Sequence, residues 1–190
     1  MEEGGPDPIR QLPPGPHGIP PELVERNQRE RLVAAAAEAC AEKGYSVLSI
    51  ADLTRRAGLS TATFYKLFAG KRECVLEAHR ELSGRLLEEV DRVCEPVQGE
   101  ERVRAGVRSA LTLLAADPPT ARLLTVEVLA LGPAGVERND ALVAALAELL
   151  GTDWALVAGA SMLIGKRVMA DEAATLPDLE DELVALISLR

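Results

Sequence analysis

Apolar residues recur along most of this chain at intervals of three and four positions, which places them on one face of an α-helix. The first such segment begins at Pro21-Glu22, where a proline suits the first turn, and stops at Gly44. No segment shows the alternation of apolar and polar residues that indicates a half-buried β-strand. The pattern therefore predicts an all-α protein. The predicted buried positions of the first helix are Leu32, Val33, Ala36, Ala37 and Cys40.

Two short helices are predicted next, joined by a tight turn. Ser49 and Asp52 have the spacing of a capping box, which starts the first of them. That helix ends at Gly58, where we expect a positive φ that glycine adopts at little cost. Ser60 caps the second short helix, which runs from Thr61 to Phe68. Braced by the first helix, this pair has the parts of a helix-turn-helix, whose second helix lies in the major groove of DNA.

A longer fourth helix is predicted from Gly70–Glu73 to Pro96, and five more follow it at 100–116, 118–131, 136–150, 153–170 and 178–189. Residues 1–21 hold seven of the twelve prolines, a composition that cannot bury a core and predicts a flexible arm. We call residues 22–72 the head, the predicted DNA-binding domain. We call residues 73–190 the body, a predicted helical domain for effector binding and dimerisation.

The second short helix predicts how the head contacts DNA, because its outward positions are short or hydrogen-bonding and none is acidic. Thr61 and Ala62 are placed to approach base edges, while hydroxyl and ammonium groups suit phosphate oxygens. Helix starts near Ser49 and Gly70 add backbone amides for phosphates. A cap role explains the two serines equally well. The predicted DNA-binding residues are Ser49, Ser60, Thr61, Ala62, Thr63, Tyr65, Lys66 and Lys71.

The formal net charge of −9 is unevenly distributed. Residues 22–80 carry ten lysines and arginines against eight acidic residues, whereas residues 81–190 carry ten against nineteen. A mildly basic head on an acidic body presents one face to phosphates while the body is repelled by them. DNA affinity is therefore expected to depend on a few placed contacts.

Composition narrows the class of protein. Hydrophobic residues make up 47% and charged residues 27%, as in ordinary globular proteins, and no run approaches the roughly 20 apolar residues of a membrane span. Met1 is followed by two glutamates and no apolar core, so no signal peptide is expected and a cytoplasmic location is predicted. Cys40, Cys74 and Cys94 have no metal-site spacing. We expect no catalytic residues, metal or cofactor.

The head resembles the DNA-binding domain of the tetracycline-repressor (TetR) family. The resemblance rests on Ala-Glu-Lys-Gly-Tyr (41–45), Ser-Ile-Ala-Asp-Leu-Thr-Arg-Arg-Ala-Gly-Leu-Ser (49–60) and Thr-Phe-Tyr-Lys-Leu-Phe (63–68), with Lys71 after them. Leu67 departs from it, because the family often has histidine there, and Ala69-Gly70 replaces a frequent serine cap. The resemblance implies a homodimer on a near-palindromic operator, DNA contacts from the second short helix, and an effector pocket in the body.

The same resemblance implies dimerisation through the last two helices, 153–170 and 178–189. The first is rich in small residues that permit close helix approach, and the second has an apolar stripe at Leu179, Leu183, Leu186 and Ile187. Burial within one chain is the alternative for both. The implied pocket lies between the fourth helix and residues 100–150, with candidate wall residues Leu111, Leu114, Leu124 and Val128, which sequence alone does not separate from plain core.

The predicted function is a transcriptional regulator, in the first instance a repressor that a small-molecule effector releases from DNA by favouring a conformation with displaced heads. One alternative is a DNA-binding architectural or adaptor dimer with no effector. An enzyme is the other. Only His17 and His79 are present and no nucleophile, phosphate-loop or metal motif occurs, so Arg122 and Glu127 are expected to be an ordinary ion pair.

Overall fold

The computed structural model describes residues 20–188, so the predicted arm lies almost wholly outside the described residues. Within 20–188 the chain forms helices and no strand, which confirms the predicted all-α fold. The α-helices are α1 (Pro21–Lys43), α2 (Ile50–Ala57), α3 (Thr61–Leu67), α4 (Lys71–Cys94), α5 (Gly99–Ala116), α6 (Pro118–Thr125), α7 (Pro133–Leu150), α8 (Trp154–Met169) and α9 (Glu180–Ile187). Two 3-10 helices, Glu127–Leu131 and Ala173–Leu179, complete them.

The core of the head forms where α2 and α3 pack on the buried face of α1. Leu32, Leu53 and Phe64 are fully buried there, because the apolar faces of α1, α2 and α3 cover one another, and α1 also packs against α4 and α6. Cys40 and Cys74 belong to the same core, and burial raises the pKa of both thiols to about 12. These thiols are therefore protonated at neutral pH, as expected for small apolar core residues.

Helix α4 joins the head to the body without a break. Its first turn packs with α1, and its remaining length packs against α5 and α7. The serine cap that Ala69-Gly70 lacks has a specific replacement, since the Glu73 carboxylate accepts a hydrogen bond from the Ala69 amide at 2.6 Å. The start of α4 is thus fixed although Gly70 itself provides no side-chain cap.

Three predicted elements differ from the structure. The helix predicted at 118–131 is interrupted at Val126 and continues as a 3-10 helix, because Gly135 of α7 packs directly on the Val128 carbonyl. Helix α7 begins at Pro133 and not at residue 136, since that proline occupies its first turn. The helix predicted at 178–189 is shorter, and a 3-10 helix containing Pro177 precedes it.

The stripes predicted for dimerisation lie largely inside one chain. Leu179, Leu183 and Ile187 are buried, and Leu186 packs beside Gly159 of α8. Gly165 is also buried, with the Thr125 carbonyl 3.4 Å from where its Cβ would lie. The small residues of α8 therefore allow close packing within the protomer, and any contact between protomers must use other faces of α8 and α9.

No single helix within residues 20–188 is long and apolar enough to cross a membrane. Helices α7 and α8 satisfy the length and composition criteria only as a pair, and the pair is bent by 116°.

Candidate nucleic-acid interface

The turn between α2 and α3 has the predicted left-handed glycine. Gly58 has φ +61°, and the Leu59 amide donates to the Thr54 carbonyl at 2.8 Å, which closes the turn. From α1, the Arg31 guanidinium donates to the carbonyls of Ala57 and Gly58. These carbonyls would otherwise lack partners at the end of α2, so Arg31 fixes the turn against the bracing helix.

The end of α3 is held in the same way. Phe64 is fully buried, and Phe68 lies under the guanidinium of Arg29, 4.8 Å from the ring centroid. The same guanidinium donates to the Leu67 carbonyl at 3.3 Å. Sequence reasoning missed these two α1 arginines, and their only local signal is that each lies close before the buried stripe that starts at Leu32. Leu67 is itself buried, so it presents nothing to a phosphate.

The start of α3 is capped as predicted. The Ser60 hydroxyl accepts from the Thr63 amide at 3.0 Å and lies 2.9 Å from the Thr63 hydroxyl. Both hydroxyls are thus engaged with each other in the unbound protein. Their predicted DNA contacts remain predictions, and the cap role of Ser60 accounts for its presence on its own.

Four predicted residues form the exposed face of α3. Thr61, Ala62, Tyr65 and Lys66 are exposed, and Tyr65 leaves 58% of its surface in solvent although its ring meets Phe64 edge-on at 5.6 Å. No hydrogen bond within the described residues engages these four side chains. A face that combines a methyl, two hydroxyls and an ammonium matches the groups that base edges and phosphates present.

The start of α2 shows how an acidic residue is tolerated beside this face. Ser49 and Asp52 form the predicted capping box, with reciprocal side-chain to backbone bonds. Lys43 donates to the Asp52 carboxylate at 2.6 Å and, with Ser49 and then Arg55, holds the pKa of that carboxyl well below its usual range. Because two cations neutralise the carboxylate, α2 presents no net negative charge to DNA.

Lys71 contacts the protein itself. Its ammonium donates to the carbonyls of Tyr45 and Leu48, at 2.9 and 2.7 Å, and lies 4.4 Å from the centroid of the Tyr45 ring. The lysine therefore stabilises the loop between α1 and α2. Two of its three hydrogens are occupied, so one is left for the phosphate contact that the sequence predicted.

Residues 32–78 match the family model of the bacterial regulatory proteins of the tetR family. The matched segment is the helix-turn-helix with the start of α4, the part that contains the face just described. The helix-turn-helix of this chain is therefore similar to the DNA-binding domain of the tetR family. The resemblance of the head that the sequence predicted is thereby confirmed.

Whole-chain comparisons extend the likeness of fold to the body. The fatty acid degradation regulator FadR of Bacillus halodurans covers 85% of this chain and 94% of its own, with TM-score 0.73 and 20% identity. FadR of Bacillus subtilis, in complex with stearoyl-CoA, also has TM-score 0.73, with 18% identity over 85% of this chain and 99% of its own. At such identities the likeness is one of fold.

A relative found by sequence is the fatty acid metabolism regulator protein of Bacillus subtilis (strain 168). It is 24% identical over 105 residues, which are 55% of this chain and 54% of that protein. The alignment thus spans about half the length of the relative.

The body contains a cavity of about 210 Å³ between α4, α5, α6, α7 and α8. Of the four predicted wall residues, Leu114 and Leu124 line it, whereas Leu111 and Val128 are buried core that does not reach it. Sequence reasoning did not place Trp154 or Asn139 there, because they come from helices distant along the chain. Among the lining residues none is lysine, arginine or histidine. No group of three or more His, Cys, Asp or Glu within residues 20–188 is arranged to hold a metal ion.

Proposed function

We propose that this protein is a DNA-binding transcriptional repressor that acts in the cytoplasm as a homodimer. The observation that carries the proposal is the exposed, acid-free face of α3, held at a fixed angle by partly buried arginine contacts within a domain that resembles the tetR family. In this proposal the head binds DNA, and the body binds the effector and forms the dimer. No enzymatic role is proposed.

The test is a footprint on the intergenic DNA beside the gene of this protein, repeated at several salt concentrations. We expect a protected near-palindrome whose half-sites are about 34–36 Å apart, one turn of DNA, because each head of a dimer reads one half-site. Thr61→Ala is expected to change the preferred bases, since Thr61 is exposed at the start of α3 and no side-chain hydrogen bond within residues 20–188 engages it. If the protein is a folded dimer but binds no DNA fragment in a genome-wide selection, the proposed repressor function is excluded.

The effector proposal rests on the cavity. Its volume of about 210 Å³ lies below the roughly 300–1,000 Å³ of pockets that enclose drug-sized ligands. A stearoyl chain, present in the FadR complex, is a long ligand for a space of this size. Because no cation lines the cavity, an anionic group is not expected inside it. We therefore propose a ligand whose buried part is apolar and compact.

Trp154 provides the measurement, because it is the one tryptophan of the chain and lines the cavity. We expect octanoyl-CoA to change the Trp154 fluorescence and to weaken DNA binding, stearoyl-CoA to do so less, and coenzyme A alone to do neither. If no acyl-CoA or other metabolite weakens DNA binding, the alternative of an effector-independent DNA-binding dimer is favoured.

A further inference from the structure

We propose that Glu127 is a positioning residue that couples the cavity of the body to the helix-turn-helix of the head. The proposal rests on the proposed function, since it explains how a ligand in the cavity changes DNA binding. It assigns a role to a carboxylate that sequence reasoning treated as one half of an ordinary ion pair with Arg122.

The Glu127 carboxylate crosses from the body to the head. Glu127 is 7% exposed, at the start of the 3-10 helix after α6. Its Oε2 accepts a hydrogen bond from the Tyr45 backbone amide at 2.8 Å, and its Oε1 accepts from Arg122 Nε at 3.2 Å. The carboxylate also faces Gly44, where an added Cβ would lie 3.6 Å from Oε2. A buried carboxylate with these partners resists separation from them, because an unpaired buried charge is costly.

The loop that receives this bond sets the position of α2. Residues 44–48 connect α1 to the Ser49 cap, and Lys71 binds them from the opposite element, α4, through the carbonyls of Tyr45 and Leu48. The loop is thus held by a carboxylate from the body and by an ammonium from α4. A displacement of Glu127 shifts the Tyr45 peptide, and the start of α2 lies only five residues further along the chain, so the shift is transmitted to it.

The other side of Glu127 meets the cavity. Thr125 and Leu129, two residues before and two residues after it, both line that space. This stretch passes from α-helix to 3-10 helix, a geometry with weaker hydrogen bonds that often marks a hinge. Gly165 of α8 packs on the Thr125 carbonyl and fixes the stretch at its start. A group that fills the cavity and displaces Leu129 therefore moves Glu127 with it.

The test is a double-mutant cycle read by DNA affinity, with the footprinted DNA as the probe. Ala110→Phe fills the cavity from α5, away from Glu127 and from the exposed faces of α8, and imitates an occupied state. We expect it to weaken DNA binding about tenfold, a usual allosteric coupling. In a Glu127→Ala background the same filling is expected to change affinity less than about threefold, because the link is gone.

The matched control is Arg102→Ala. This substitution removes a partly buried hydrogen bond from the Arg102 guanidinium to the carbonyl of Leu149, within the body and remote from the head. Arg102→Ala is expected to lower stability but to leave the tenfold response to Ala110→Phe intact. If Glu127 had only a structural role, Arg102→Ala and Glu127→Ala would affect this response alike. If Glu127→Ala does not fold, Glu127→Gln replaces it. The Tyr45 amide and Arg122 bind different carboxylate oxygens, and glutamine has an NH2 donor in place of one of them, so one contact is lost and the response is expected to fall by more than half.

Two results would overturn the proposal. One is additivity, in which Ala110→Phe weakens DNA binding equally with and without Glu127. The other is a normal affinity of Ala110→Phe in the wild-type background. Both leave the proposed repressor function standing, because the wild-type protein still binds its DNA; failure of the wild-type protein to bind any DNA overturns both.

Discussion

Two lysines of the head, Lys66 and Lys71, differ in what their ammonium groups contact. Lys66 is exposed on α3 and has no hydrogen-bond partner in the part of the chain that the structure describes, whereas Lys71 binds two carbonyls of the loop between α1 and α2. Both fit the sequence prediction of a phosphate contact. The structure separates them, since removing one leaves the fold intact and removing the other leaves two carbonyls without a donor.

Lys66→Ala is therefore expected to weaken binding to all DNA sequences and to reduce the slope of log affinity against log salt by about one, with an unchanged melting temperature. Lys71→Ala is expected to lower the free energy of unfolding by about 2 kcal/mol, because it removes two hydrogen bonds from a charged donor. Salt-dependent anisotropy and thermal unfolding measure the two effects. A stable Lys71→Ala protein would show that the loop does not need this lysine.

His79 is a second residue whose environment has a measurable consequence. It is 1% exposed on α4; Nδ1 lies 3.3 Å from the Ser83 hydroxyl, and Nε2 has no hydrogen-bond partner among the described residues. Burial and then the charge of Arg138 lower its pKa from 6.5 to about 4. Between these pH values the unfolded chain binds more protons than the folded chain, so stability falls as the pH falls.

The expected loss is up to about 3 kcal/mol between about pH 6.5 and pH 4. His79→Leu, of similar volume, is expected to remove this part of the acid sensitivity. Urea unfolding of both proteins at about pH 7 and about pH 5 measures it, and the difference between the two proteins isolates His79 from the carboxylates. If the stability of the wild-type protein and of His79→Leu falls equally with pH, His79 has the same protonation in the folded and unfolded states.

At this scale the sequence predicts what is local. Ser49, Ser60 and Gly58 were identified because a cap or turn depends on residues within a few positions, and the structure confirms each of these local roles. Arg29, Arg31 and Glu127 bind backbone groups at least 26 residues away along the chain. Nothing in a single sequence indicates which distant carbonyl or amide a side chain will reach.

Among the elements, the segment from α6 to α7 differs most from its predicted form. Apolar periodicity continues through Val126, so the sequence predicts one helix, but packing against Gly135 determines the actual path. A Cβ on residue 135 would lie 1.9 Å from the Val128 carbonyl oxygen. The absence of a side chain at this position is thus a condition for the 3-10 helix that carries Glu127.

Gly135→Ala is accordingly expected to destabilise the protein by about 3 kcal/mol, since the backbone must move to admit a methyl group. Gly84→Ala is the matched control. Gly84 lies inside α4 with no atom within 4 Å of the added Cβ, so alanine there is expected to stabilise by about 0.5–1 kcal/mol. Chemical denaturation measures both. Equal effects would mean that the contact between α7 and the 3-10 helix is readily relaxed.

At the scale of the whole molecule, the exposed surface of α8 bears on how the two copies of the proposed dimer associate. Trp154, Met162 and Met169 lie along one side of α8, and each is exposed although apolar, Met169 by 60%. Exposed apolar groups aligned on one helix mark a contact with another molecule. This stripe is a better candidate for the proposed dimer interface than the α9 stripe, which is buried within its own chain.

Met169→Glu is expected to convert a dimer to a monomer in sedimentation experiments and to abolish protection of a palindrome, because it places a charge in an apolar contact. Trp154 and Met162 line the cavity whereas Met169 does not, so this substitution leaves the cavity lining unchanged. Val136→Glu, which alters an exposed apolar residue of α7, is the control and is expected to leave the dimer unchanged. A dimeric Met169→Glu protein would place the interface elsewhere.

The side-chain hydrogen bonds that fix the helices of the head share one property, which is that their partners are main-chain atoms. Arg29 and Arg31 bind carbonyls, Lys71 binds two more, and Glu127 binds an amide. Main-chain atoms are the same whatever amino acid stands at a position. The outward residues of α3 are thus free to be exchanged by evolution, or by an engineer who wants another operator, without any change to the framework that presents them.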